Sequence, residues 1–330
     1  MVRLLVCGAL NWDVTCFVDH LPVPGEEVTV KDILRVSGGT GGNIAIAAAR
    51  ILGLKQVALV AALGDDDIAQ RQLGLLDAGG VVTAGIQILP GEESGQAYIF
   101  VDRNGQNVIA SGLGANTKLQ SQHLNHPAVE RLLQECQGIV LSDPPSDVVA
   151  ELIIQAKLRG IPVLLDPGIL LEQGWEAIQR LAERADILFL NEAEAGVLFG
   201  SAELDVGWQR LRESGFRNHI VFKLGARGAA IVEVATGTVT EIPALPLREL
   251  GLSAVNTVGC GDGFVGVFAA YQVLGVSLPE SLIMASAAAG INATRPETRG
   301  SPDRATLEEV VQRSQRLGFA VQERKLSNHY

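Results

Sequence analysis

From residue 139 to residue 223 the chain repeats one pattern: a short apolar run, a polar residue, then a stretch with helical character. The runs are residues 139–141, 163–165, 187–190 and 220–223, and the stretches between them include residues 147–159 and 175–184. Apolar runs this short read as strands buried on both faces. Their alternation with helices predicts an α/β fold, a Rossmann-like, mostly parallel sheet flanked by helices. Residues 2–8 and 57–63 have the same character. Open sheets of this kind bind ligands beyond the carboxyl ends of their strands. The polar residues that close the runs, Asp143, Asp166, Asn191 and Lys223, are therefore expected on one edge. Asn11 and Asp13, which follow the first run, join them.

Two glycine-rich loops lead into helices. The first is Gly-Gly-Thr-Gly-Gly-Asn, with Gly38, Gly39 and Asn43, followed by an alanine-rich helical pattern over residues 44–52. It reads either as a flexible turn or as a place where backbone approaches a ligand closely. The second, residues 256–266, runs Asn-Thr-Val-Gly-Cys-Gly-Asp-Gly-Phe-Val-Gly. Gly259 and Gly261 allow several N–H groups to converge at the positive end of a helix, which makes an anion site. Asp262 lies at its edge. It is either a helix cap or a general base taking a hydroxyl proton while the amides hold developing phosphate charge. Cys260 reads as a small residue in that loop rather than as a nucleophile.

Residues 94–111 differ in character. β-rich segments at 98–101 and 107–110 flank Asp-Arg-Asn-Gly-Gln, and Asn-Gly between such segments is a strong hairpin signal. With a strand expected over residues 27–36, after the Leu-Pro-Val-Pro-Gly turn at 21–25, this hairpin predicts a small separate sheet. It would form a lid from two insertions, about 14–37 and 94–112. A late hairpin is expected at 229–234 and 239–242, and outer helices at 278–294 and 306–317. The intervening loop, 295–302, is rich in Pro, Gly and Thr.

A net charge of −11 disfavours nucleic acid and anionic membrane as partners. With 47% hydrophobic and 19% charged residues the chain is globular. Its 330 residues are long for one domain by the usual prior, yet within reach of a single α/β unit, and one domain over 1–330 is expected. The four cysteines have no metal spacing and fit reduced thiols in a cytoplasmic protein. The N-terminus lacks the flanks of a signal peptide, and no apolar run reaches membrane-spanning length. His20, His123, His126, His219 and His329 form no ligand spacing, so zinc is not expected. A Walker-type loop and a dinucleotide glycine fingerprint are both missing.

Asn191-Glu-Ala-Glu194 opens a helix after a strand. Asn191 and Glu194 either cap that helix or hold phosphate-bound Mg²⁺, Glu194 through water. Lys223-Leu-Gly-Ala-Arg-Gly, with Gly225 and Gly228, is either a plain strand-to-turn passage or a bed for a nucleotide with Lys223 near its phosphates. Together these pieces supply positioned phosphates, a metal and a base for a hydroxyl, the requirements of phosphoryl transfer.

On these motifs the chain resembles the ribokinase (PfkB) family of carbohydrate and nucleoside kinases over nearly its whole length. Residues 38–64 are similar to the family's N-terminal signature, and residues 256–262 to its C-terminal Asp-Thr-x-Gly-Ala-Gly-Asp. Asn191 and Glu194 match its Asn-x-x-Glu motif, and residues 223–228 its nucleotide loop. Gly8-Ala-Leu-Asn11-Trp-Asp13 and Leu-Pro-Val-Pro-Gly-Glu26 are similar to the ribokinase branch in detail. The resemblance implies a ribokinase-like fold with a small β lid, ATP and Mg²⁺ as cofactors, and Asp262 as the base. It places Gly259, Cys260 and Gly261 with Asp262 in the anion hole. It also implies that Asn11, Asp13, Gly38, Gly39 and Asn43 bind sugar hydroxyls. Thr40 stands in place of the ribokinase lysine, Cys260 in place of alanine, and Asp166-Pro-Gly in place of Asp-Pro-Asn. Asn256 replaces an aspartate that often helps bind a monovalent cation, so the K⁺ site that the resemblance implies as a possible cofactor site lacks one of its usual ligands. The implied activity is ATP-dependent phosphorylation of a primary hydroxyl of a sugar, a pentose such as ribose. The alternatives are a nucleoside kinase of adenosine or cytidine type, and a non-catalytic sugar sensor. An apolar lid hairpin would also allow a homodimer through the lid.

Overall fold

A computed structural model of the protein describes residues 1–326; His329 lies outside them. The chain begins with β1 (Leu4–Gly8), β2 (Asn11–Phe17) and β3 (Asp32–Gly38), then α1 (Thr40–Leu52), β4 (Val57–Gly64), α2 (Asp67–Ala78) and β5 (Val81–Leu89). The strands β6 (Gly95–Val101) and β7 (Asn107–Gly112) precede α3 (Pro127–Glu135) and β8 (Gly138–Ser142). Alternation then follows through α4 (Ser146–Arg159), β9 (Val163–Asp166), α5 (Trp175–Ala182), β10 (Ile187–Asn191), α6 (Glu192–Phe199), α7 (Leu204–Glu213) and β11 (His219–Lys223). The remainder is β12 (Ala229–Glu233), β13 (Thr238–Ile242), α8 (Cys260–Val273), α9 (Leu278–Ala293), α10 (Arg304–Gln315) and β14 (Gln322–Lys325).

Ten strands form one sheet in the order β14-β13-β12-β11-β10-β9-β8-β1-β4-β5. From β5 to β11 every pairing is parallel, and β12, β13 and β14 add on antiparallel. Every residue of β1, β4, β8 and β9 is buried, as expected of strands covered on both faces. One core cluster packs the sheet against α3, α4, α5 and α7. The other packs it against α1, α8, α9 and α10. The chain enters the sheet at β1, builds outward through β4 and β5, and then crosses to β8 on the other side of β1. That reversal is a topological switch point, where the strand ends part to leave a crevice.

The second sheet has the order β3-β2-β6-β7. β3 runs from an exposed far end to a buried root, β6 from a buried root to a half-buried end, and β7 is exposed throughout. The expected strand over residues 27–36 is corrected: β3 starts at Asp32 and runs to Gly38. Its register explains the shift, because Asp32 pairs with Phe17, the last residue of β2. Before Asp32 there is no partner strand to lie against. β2 itself went unexpected: Asn11 and Asp13, placed at the edge of the main sheet after its first strand, belong to a strand of the small sheet. The Asn-Gly turn is present, and the Asp102 carboxylate accepts from the N–H groups of Asn104 and Gln106. The late hairpin and both outer helices lie within two residues of their expected places. No described helix is long and apolar enough to cross a membrane.

Buried polar side chains fix the root of the small sheet. Gln72 of α2 accepts from the Ser37 hydroxyl and donates to the Asn11 carbonyl at 2.6 Å, tying together the start of β2 and the end of β3. Asn116 accepts from Leu10 N–H at 2.9 Å and donates to the Leu10 carbonyl and to Asn11 Oδ1. Asp66 caps α2 and also accepts from the Ser94 amide and hydroxyl, just before β6.

Candidate active site

Parallel register puts the strand ends in one row. Gly8 pairs with Ser142, Ser142 with Asp166, and Asn191 with Lys223. Beyond this row the N-termini of α1 and α8 come together. Gly39, at φ 84°, starts α1, and a Cβ on Gly41 would lie 2.7 Å from Gly8 Cα, so the helix start needs glycine to sit against β1. Gly259, at φ 77°, starts α8. The first backbone bond into that helix is Gly263 N–H to the Gly259 carbonyl at 2.9 Å. The amides of Gly261 and Asp262 precede it and so face outward at the positive end of the helix.

The Asp262 side chain accepts from Asn43 Nδ2 at 2.8 Å, which bridges the two glycine loops. Burial raises its carboxyl to about 6; the Asn43 hydrogen bond and the Lys223 charge oppose the rise, and the charges of Asp166 and Asp143 add to it. Asp13 lies on β2 directly against Gly38, where any Cβ would fall on its carboxylate. Burial raises it to about 6 as well, with Arg299 pulling it down. The loop that carries Gly38 against Asp13 also carries Asn43 to Asp262.

Along the row away from α1 the charges are paired. Lys223 Nζ donates to Asp166 Oδ1 at 2.8 Å, with both side chains nearly out of solvent. A Cβ on Gly261 would lie 3.8 Å from that ammonium, so Lys223 reaches the first turn of α8. Burial alone would lower Lys223, but Asp166 and Glu194 hold it above the usual lysine value. Asn191 and Glu194 form a capping box: Asn191 Oδ1 accepts from Glu194 N–H at 2.9 Å, and Glu194 Oε2 from Asn191 N–H at 2.7 Å. The capping alternative is therefore realised at both residues. Glu194 is still raised, first by burial, with Asp166 and Asp143 adding to the rise against Lys223. Gly225, at φ 53°, opens a single 3₁₀ turn that Gly228, at φ 98°, closes, and a Cβ on Gly228 would fall on the Ile242 carbonyl. Among the described residues no group of three or more His, Cys, Asp or Glu side chains is placed to hold a metal directly.

Asp143 and Asn11 stand at the edge where they were expected, whereas Arg299 escaped sequence reading. Asp143 sits at φ 61°, a conformation uncommon for a residue with a side chain. It accepts from Thr40 Oγ1 at 2.8 Å and from Ile169 N–H at 2.7 Å. Asn11 Oδ1 accepts from Asn116 Nδ2 at 2.9 Å, which fixes the amide and leaves its nitrogen and one lone pair of the oxygen for other partners. Arg299, from the loop between α9 and α10, donates from Nε to Asn43 Oδ1 at 2.9 Å. No local pattern marks Arg299, because its partner is 256 positions away.

The pfkB family carbohydrate kinase model matches residues 1–305. The chain belongs to that family of carbohydrate kinases, phosphotransferases with an alcohol acceptor, and has the ribokinase-like fold. Over 92% of its length it is 30% identical to an ATP-dependent ribose-1-phosphate kinase of Halopiger xanaduensis, covering 95% of that protein. It is 29% identical to a ribokinase of Haemophilus influenzae, with 90% and 94% of the two chains covered. A structure of Arabidopsis thaliana ribokinase complexed with ribose and ATP superimposes with a TM-score of 0.83 at 25% identity, covering 94% of this chain and 99% of that one.

Proposed function

We propose that the enzyme transfers a phosphoryl group from ATP to a primary hydroxyl of a sugar, with a pentose of the ribose type as acceptor. The observation that carries this is Asp262. It stands beside outward-facing amides on α8, is raised to about 6, and meets the opposite glycine loop through Asn43 at 2.8 Å. A carboxylate with that affinity for protons is deprotonated near neutral pH and still basic enough to draw a proton from a hydroxyl. The amides of Gly261 and Asp262, in the loop that Gly259 and Cys260 shape, stabilise charge on the transferring group. Asp13 and Asn43 grip adjacent sugar hydroxyls, with the nitrogen of Asn11 and the backbone of Gly38 and Gly39 beside them. Lys223, Gly225 and Gly228 cradle the nucleotide, and Asn191 holds the turn at the start of α6.

Glu194 fits a water-bridged Mg²⁺, since a cation there would relieve the repulsion it shares with Asp166 and Asp143. Bound magnesium neutralises charge on the phosphate oxygens. Asn256 donates to the Pro296 carbonyl at 2.9 Å and accepts from Val258 N–H at 3.0 Å. These two bonds fix the Asn256 side chain in the loop before α8 whether or not K⁺ binds beside it. The small sheet acts as a lid that keeps water from the donor phosphate. Its unpaired β7 edge and the exposed Ile33, Leu34, Val108 and Ile109 provide a surface for a second copy. Sedimentation should give a dimer that Ile109→Lys dissolves; a wild-type monomer at micromolar concentration refutes the pairing. The work of such an enzyme belongs in the cytoplasm, where ATP is supplied.

The test is coupled ADP release with ribose, deoxyribose, ribose 1-phosphate, fructose, adenosine and cytidine under one condition. Turnover is expected with a ribose-type sugar. Preference for adenosine or cytidine would move the assignment to a nucleoside kinase. Saturable sugar binding with no ADP released from any of them would make the protein a sensor.

A further inference from the structure

Asn43 is a primary amide with two different ends, one that accepts hydrogen bonds and one that donates them. Its Nδ2 faces Asp262 Oδ2 at 2.8 Å, and its Oδ1 faces Arg299 Nε at 2.9 Å. A guanidinium has donors only, so the oxygen of Asn43 must turn toward it and the NH₂ must turn toward Asp262. Rotated by half a turn, the amide would set its oxygen against a carboxylate and its nitrogen against a cation. Without Arg299 nothing in the second direction distinguishes the two orientations.

The placement of Arg299 is itself fixed. Its Nη2 donates to the Gly38 carbonyl at 3.3 Å. A Cβ on Gly42 would lie 2.5 Å from that same nitrogen, so the glycine loop leaves room for the guanidinium. Arg50 of α1 donates to the carbonyls of Arg299 and Ser301, anchoring the loop from below. The neighbouring Thr298 lies against Gly259, where α8 begins. One loop therefore packs against both Gly259, where α8 begins, and the residue that reaches Asp262.

We infer that Arg299 is a positioning residue for the phosphoryl transfer: through Asn43 it orients the hydrogen bond that holds Asp262 ready as base. This rests on the assignment of Asp262 made above. Besides Asn43, the groups that face Asp262 are Asp166 and Asp143 at the strand ends, Lys223 of β11, Cys260 on its own helix and Arg299 from the loop. Arg299 also acts on Asp13 by charge alone. The test must therefore read Asp262 itself and separate direct charge from action through the amide.

Titration of the Asp262 carboxyl by ¹³C NMR of aspartate-labelled protein does both, with the signal assigned by its loss in Asp262→Asn. Arg299→Met should raise the Asp262 midpoint by about one pH unit, the scale of one lost charge-assisted hydrogen bond. In an Asn43→Ala background the same substitution should move it by less than about a third of that, since coupled residues fail to add. Arg299→Lys, which keeps a donor, should recover most of the wild-type midpoint. At saturating sugar, kcat of Arg299→Met should fall about five-fold at pH 6 and hardly at all at pH 8.5; a purely structural role would lower both alike. An equal shift in both backgrounds would make the effect one of charge, and no shift in either would remove Arg299 from the mechanism. If Arg299→Met does not fold, Arg299→Gln replaces it in the same cycle. Near-normal turnover in Asp262→Asn would instead sink the base assignment, whatever Arg299 does.

Discussion

The edge of the sheet holds its buried charges in two ways. Toward β9, β10 and β11 an acid meets a full opposite charge, as Lys223 on Asp166 at 2.8 Å, or is tied into a helix cap, as Glu194 is. Toward α1 and α8, Asp262 meets only a neutral amide at 2.8 Å, and Asp13 feels Arg299 without pairing with it. The difference separates two tasks. A charge that must stay put is tied to a partner or a cap, even where burial still raises it as at Glu194, whereas Asp262, which must exchange a proton, has no ion-pair partner and is raised to about 6, as is Asp13, which must stay open to a sugar hydroxyl. A substitution on the first side should therefore be felt in stability, and one on the second side in catalysis.

The largest effect is expected at Asp262. Asp262→Asn keeps the shape and the Asn43 contact but removes the base, and should lower kcat by ~10²–10⁴ with sugar affinity largely kept. Steady-state kinetics with the best sugar checks this, and loss of affinity without loss of kcat would assign the residue to binding. Lys223→Met comes next. It leaves Asp166 buried without its partner, which costs about 3–5 kcal/mol, whereas Lys223→Met with Asp166→Leu removes both charges and should cost much less. Urea unfolding of the two variants decides it. If the single and double variants are equally destabilised, the comparison between the two sides breaks.

What could be read in advance follows from the range over which each interaction acts. The parallel core was legible because its strands are apolar on both faces, a signal carried within a few residues, as in Val57–Gly64. Glycine loops and the capping box are local too, so Gly39, Gly259 and Asn191 could be placed by pattern. β14 could not: Gln322–Lys325 is polar and exposed throughout, and it is a strand only because the edge of β13 accepts it. β2 and β3 were mis-set because register in a small sheet depends on the partner strand and not on periodicity. Gln72, Asn116 and Arg299 act across 61, 106 and 256 positions. Nothing near them in the chain differs from an ordinary polar residue.

The sharpest form of the comparison is a difference in stability with pH. Asp262 binds its proton more tightly folded, at about 6, than at the ordinary value of 3.8. Between those limits the native state holds more protons than the unfolded chain. Its contribution to stability is complete below about pH 4, falls as pH rises through 6, and is then lost. The gap of about two units corresponds to at most roughly 3 kcal/mol at neutral pH. Asp262→Asn removes that burden, so the variant should be more stable than wild type at pH 7 by about 1–3 kcal/mol, with the gain vanishing near pH 4. Activity runs the other way, since the base works only when deprotonated, and the acid limb of kcat/KM should fall near pH 6. Urea denaturation of both proteins at pH 4.5 and 7 measures the trade. A variant less stable than wild type at pH 7 would mean that Asp262 and Asn43 stabilise the fold as Lys223 and Asp166 do, and the two sides of the edge would no longer differ.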